Sequence, residues 1–124
     1  MTPSEAIRAL CAAWERGDPQ ALADLFDDDG TYEDPLKEGP LVGREQIREG
    51  NRPAMAAIED CRVEIRHLVA DGAVAMAEGY FSSRLADGSG RLDFSFAITA
   101  EMKGNRVLRA AEFYDTRPLL GAGR

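Results

Sequence analysis

At 124 residues the chain suits a single domain, and an apolar content of 44% is that of an ordinary folded globule. No apolar run approaches the roughly 20 residues a membrane helix needs, and a formal net charge of −7 opposes binding to polyphosphates such as DNA or RNA. Cys11 and Cys61 are too few and too far apart for a disulfide framework or a zinc site, and MTPSEAIRAL lacks the basic start and apolar core of a signal peptide, so a reducing cytoplasm is the expected home.

Thr2-Pro3-Ser4-Glu5 has the form of a capping box and predicts a helix whose apolar positions Ile7, Leu10, Cys11 and Trp14 share one face, with Gly17 as its stop. Asp18-Pro19 caps a second, short helix that buries Leu22, Leu25 and Phe26. The run Asp27-Asp28-Asp29 reads as a solvated helix end, without the glycine and glutamate of a calcium loop. After a turn at Gly30, the stretch TYEDP reads as the end of one strand. Gly43 opens a third helix, REQIREGNRPAMAAIE, which Gly50 and Pro53 are expected to kink or break.

From Cys61 the period changes to two. Cys61, Val63 and Ile65 alternate, Asp71-Gly72 marks a hairpin, and AVAMAEGYFSSR is the partner strand. LADGSG turns the chain again, and Leu92, Phe94, Phe96 and Ile98 fall on one face of the next strand. Lys103-Gly104-Asn105 leads into VLRAAEFYD, where Leu108, Ala110, Glu112 and Tyr114 share a face. The expected order is two helices, a strand, a helix and four antiparallel strands, an α+β fold. There is no internal repeat or linker, and residues 118–124, ending in GAGR, read as a frayed tail after a domain spanning 1–117.

The segment from Trp14 to Ile47, with W-E-R-G-D-P-Q-A-L-A-D-L-F-D-D-D-G-T-Y-E-D-P followed by G-R-E-Q-I, resembles the SnoaL-like branch of the nuclear transport factor 2-like superfamily. That superfamily also holds ketosteroid isomerases, limonene epoxide hydrolases and polyketide cyclases. The resemblance implies a cone-shaped α+β barrel in which helices close a strongly bent antiparallel sheet over an apolar cavity, and a homodimer formed through the outer sheet face. It implies no cofactor or metal and a small apolar molecule as the partner.

Carried over residue by residue, Asp34 falls where relatives place a catalytic carboxylate or a water-holding asparagine. Tyr32 matches a tyrosine that helps hold that water in the epoxide hydrolases, and Glu112 matches the acid that orients the catalytic group there. Tyr32, Trp14 and Tyr114 are expected to border the same pocket, with Leu10 on the first helix. The isomerases' donor tyrosine aligns with Leu10 itself, and their protonated aspartate aligns near Ala97. The hydrolases' Arg-x-Asp pair aligns on Gly79 and Phe81, while Arg91-Leu92-Asp93 lies one strand late. Neither known mechanism is therefore carried over intact.

Residue chemistry leaves two readings open. A carboxylate facing an apolar cavity is pushed toward a useful pKa, and two acids facing it together separate into a base and an acid. Asp34 and Glu112 then belong to a cofactor-independent isomerase, cyclase or hydrolase. Alternatively, Asp34 is a turn residue before Pro35, Tyr32 and Tyr114 are core aromatics, and the protein is a non-catalytic binding or dimerisation module. His67, alone of its type and without a nucleophile beside it, reads as a structural or surface residue.

Overall fold

The computed structural model describes residues 1–120. Helix α1 (Pro3–Arg16) starts at the expected capping box: Thr2 Oγ1 accepts from the Glu5 amide at 3.1 Å, and Glu5 Oε1 accepts from the Thr2 amide at 2.8 Å. Gly17 ends it in the left-handed conformation. Asp18 caps α2 (Pro19–Asp24) through the Ala21 amide at 3.0 Å. Ile7 and Leu10 on α1 and Leu22 on α2 are fully buried and join the two helices to the sheet.

The acidic run does not end the second helix. Phe26 and Asp27 to Asp29 belong to strand β1 (Phe26–Glu33), because the Leu25 carbonyl already accepts from the Val107 amide at 2.9 Å and docks the chain on the last strand. The acids are tolerated there because they are exposed or paired: Asp28 meets Arg44 at 2.6 Å and Asp27 lies 3.8 Å from Lys103. A two-residue strand β2 (Leu41–Val42) pairs with β1 and leads into α3 (Gly43–Ala56).

Helix α3 runs through both expected breakers. A Cβ at Gly50 would fall 2.6 Å from Leu41 Cδ1, so this glycine lets the helix lie against β2. Pro53 sits in the last turn, where losing one amide removes a single helical bond.

The remaining strands are β3 (Ile58–Asp71), β4 (Val74–Leu85), β5 (Arg91–Lys103) and β6 (Arg106–Tyr114), followed by one turn of helix, α4 (Arg117–Leu120). Their turns fall at the three expected places. The six-stranded sheet has the order β2-β1-β6-β5-β4-β3. It is antiparallel as expected except that β1 and β6 run parallel, which makes the sheet mixed.

Bulges bend this sheet: the register shifts twice between β3 and β4, once between β5 and β6, and once between β1 and β6. At Gly79 a Cβ would run into the Glu64 carbonyl and lie 3.0 Å from Phe96, so only glycine permits the close approach opposite the second β3 bulge. The β5–β6 bulge also corrects one assignment. Val107, not Leu108, enters the core, because the extra residue reverses the alternation before Ala110. Helices α1 and α3 cover the concave face, and no helix among the described residues is long and apolar enough to cross a membrane. The tail residues 121–124 lie outside the described residues, while Leu119 of α4 borders the cavity described next.

Candidate active site

The parallel pairing of β1 with β6 brings TYEDP to Glu112. Tyr32 lies opposite Ala110 and Glu33 opposite Ala111, so the end of β1 delivers Tyr32 and Asp34 beside Glu112 and Tyr114. On the other side of β6, Ile98 pairs with Glu112 and Phe96 with Tyr114, which continues the concave face into β5. Between this face and α1 lies a cavity of about 120 Å³. Leu10, Trp14, Asp34, Glu112 and Tyr114 all line it.

Hydrogen bonds hold the polar members in two sets, one ending on each carboxyl. Trp14 Nε1 donates to the Tyr32 hydroxyl at 3.1 Å, and that hydroxyl donates to Glu112 Oε1. The Asp34 carboxyl, from the end of β1, raises the pKa of Glu112. Asp34 Oδ1 accepts from the Tyr114 hydroxyl at 2.7 Å and from the Leu36 amide at 2.8 Å. Tyr32, 1% exposed and absent from the cavity wall, stands behind Glu112 and positions it. This corrects the expectation that the tyrosine borders the pocket.

The electrostatics follow from this setting. Burial pushes the Glu112 carboxyl from its ordinary 4.5 up to about 8; the Tyr32 hydrogen bond opposes the shift, and the charge and hydrogen bond of Asp34 add to it. Burial, and then the charge and hydrogen bond of Glu112, hold the Tyr32 hydroxyl well above its usual range, so it remains a neutral donor. Tyr114 is raised in the same way, by burial and then by Asp34. Cys11, which also lines the cavity, is pushed up to about 12 by burial and then by Glu112, so its thiol is not a nucleophile at neutral pH.

The rest of the wall is apolar and aromatic. Trp14 meets Phe81 edge-on at 6.3 Å between centroids, Phe81 stacks on Phe94 at 4.7 Å, and Phe94 leans on Tyr114 at 4.8 Å. The cluster excludes water from one side of the two acids, which strengthens every charge interaction inside. Asn51 lines the cavity from α3, its Nδ2 donating to the Ile47 carbonyl at 2.8 Å.

Three sequence features lie elsewhere. Asp93 is chelated by Arg91 through two contacts of 3.1 Å, and Arg91 also donates to Ser82 Oγ at 2.8 Å, so this pair is spent on the outer face. His67 is exposed and meets Glu78 at 2.6 Å. Ala97 is exposed, so no acid enters the cavity from its position. In the other direction, sequence reasoning passed over Lys37, Asn51, Phe81 and Phe94 as cavity residues. The alternation that places Phe94 with Leu92 and Ile98 on one face was visible, but not that this face is hollow. Among the described residues no group of three or more His, Cys, Asp or Glu side chains is arranged to hold a metal ion.

Comparison with known proteins agrees with this architecture. A protein with a ketosteroid isomerase-like fold from Catenulispora acidiphila, solved in complex with trimethylamine, is 28% identical, with a TM-score of 0.84 over 97% of this chain and 92% of its own. An LEH-like epoxide hydrolase from M. tuberculosis has a TM-score of 0.77 at 19% identity, over 95% of this chain and 86% of its own. TsrD from Streptomyces laurentii has a TM-score of 0.75 at 23% identity, over 95% of this chain and 93% of its own. At those lower identities the likeness is one of fold. No curated protein matches the chain. Residues 7–115 match the SnoaL-like domain, nearly the whole length, and the chain belongs to that family.

Proposed function

We propose that the protein is a cofactor-independent acid/base enzyme acting on a small apolar molecule, with Asp34 as the base and Glu112 as the acid. One observation carries this reading: Asp34 and Glu112 both line one apolar cavity, where burial pushes the Glu112 carboxyl up to about 8. Proton transfer is most effective when the donor's pKa lies near the working pH. Asp34 takes a proton from carbon while its other contacts, Tyr114 and the Leu36 amide, fix its orientation. Glu112, gripped by Tyr32, faces the same space with a proton to give. Isomerisation, cyclisation and epoxide opening all need such a pair.

A second reading has its own support. The Catenulispora protein was solved with trimethylamine, and a cavity of this kind could serve as a binding pocket without chemistry. Hydrogen–deuterium exchange separates the two. In D2O, a panel of small cyclic ketones is followed by proton NMR with wild type and Asp34→Asn. The enzyme reading predicts exchange beside the carbonyl with wild type and a loss of about 100-fold or more in the variant, the scale of general base catalysis. Equal exchange in the two proteins, or none with either, supports the binding module instead. The outer sheet face carries Val69, Met76 and Phe113, each more than half exposed, and we include in the proposal a two-fold dimer that covers them.

A further inference from the structure

We propose that Lys37 binds the oxygen of the substrate, and that the cavity therefore takes carbonyl compounds whose oxygen becomes negative as Asp34 removes a proton. This rests on the acid/base reading of the same cavity and adds the residue that the resemblance lacks, a group to hold the developing charge. The geometry begins in the turn after β1. Asp34, Pro35, Leu36 and Lys37 form a tight turn in which the Lys37 amide donates to the Asp34 carbonyl at 3.0 Å. Aspartate at the first position and proline at the second are what such a turn favours. The Asp34 side chain locks it by accepting from the Leu36 amide.

Asp34 and Lys37 thus stand at the two ends of one hydrogen-bonded turn, and both residues line the cavity. Lys37 is half-buried and, among the described residues, makes no ion pair. Its charge reaches the carboxyl pair, since it acts to hold Glu112 down against burial. A half-buried ammonium beside an apolar, aromatic wall gains most from an anion that arrives with the ligand. In the reaction the C–H bond breaks, its proton passes to Asp34, and the electron pair spreads onto the carbonyl oxygen beside Lys37. The oxygen is then protonated by Glu112, or the pair returns to another carbon, which takes the proton back from Asp34. Preorganised charge at the atom where charge develops is the most effective form of such assistance.

The ionisation state of a bound probe tests this. 4-Nitrophenol is an apolar ring with one acidic oxygen, and its phenolate form is seen directly by visible absorbance. It is titrated into wild type, Lys37→Met and Lys37→Arg, with circular dichroism confirming that each is folded. Wild type and Lys37→Arg are expected to hold the probe largely as phenolate. Lys37→Met is expected to hold about tenfold less phenolate at the same pH, the scale of losing one favourable charge contact. An equal phenolate fraction in Lys37→Met and wild type overturns the proposal, as does a wild type that binds only the neutral phenol or does not bind the probe. The probe offers Asp34 no proton on carbon. Its outcome is therefore separate from the ketone exchange: failure here with exchange intact removes Lys37 and leaves the acid/base pair standing.

Discussion

Glu112 shows how burial and hydrogen bonding compete at a single carboxyl. Desolvation disfavours its charge, the Tyr32 hydroxyl favours it, and Asp34 disfavours it again, with a balance near pH 8. This has a consequence for stability. The unfolded chain releases the proton near the ordinary 4.5 and the folded chain near 8, so between those values the folded state binds more protons. The contribution of Glu112 is fullest below 4.5 and is lost as pH rises through about 8, by an amount on the order of a few kcal/mol. Glu112→Gln cannot ionise, yet its amide can still accept from Tyr32 and donate to Asp34. Its melting temperature, measured by scanning calorimetry across that window, is expected to fall less with pH than that of wild type and to exceed it above pH 8. Parallel curves for the two proteins would mean that Glu112 is ionised in the fold throughout.

Elements differ in how openly the sequence displays them. The strands from β3 to β6 were legible because each covers one face, partly in β3 and fully in β4, and covering one face writes a period of two into the residues: Ala75, Ala77 and Phe81 alternate with exposed Met76 and Glu78. The start of β1 was hidden for the opposite reason. Its acids face solvent and Arg44, so Asp27 to Asp29 show no alternation and resemble a helix end. Bulges are equally silent, and the one in the β5–β6 pair moved Val107 into the core in place of Leu108. The site was half legible. Asp34, Glu112 and Trp14 were found through resemblance to a family, whereas Lys37 sits on a loop, where turn geometry rather than periodicity aims the side chain.

At the scale of the whole molecule, one sheet does two jobs. Its concave face, closed by α1 and α3, holds the acids among aromatic rings, and its convex face leaves Val69 and Met76 paired across β3 and β4 with Phe113 nearby on β6. Light scattering at micromolar concentration is expected to give a dimer, and Met76→Asp with Phe113→Asp a folded monomer; a monomeric wild type would remove the assembly proposal.

The proposed chemistry depends on a protonated Glu112 beside Asp34 in the apolar cavity. Carbon-13 NMR of protein labelled at the side-chain carboxyls of Asp and Glu, titrated from acid to alkaline pH, reads that proton directly. One glutamate carboxyl is expected to titrate near 8 in wild type. In Asp34→Asn the same resonance should titrate lower but still above the ordinary 4.5, because the charge of Asp34 is gone and burial, the larger cause, remains. If every carboxyl of the folded wild type has ionised by about pH 5, near the ordinary carboxylate range, the cavity is wet, the pair is not coupled, and the account is wrong.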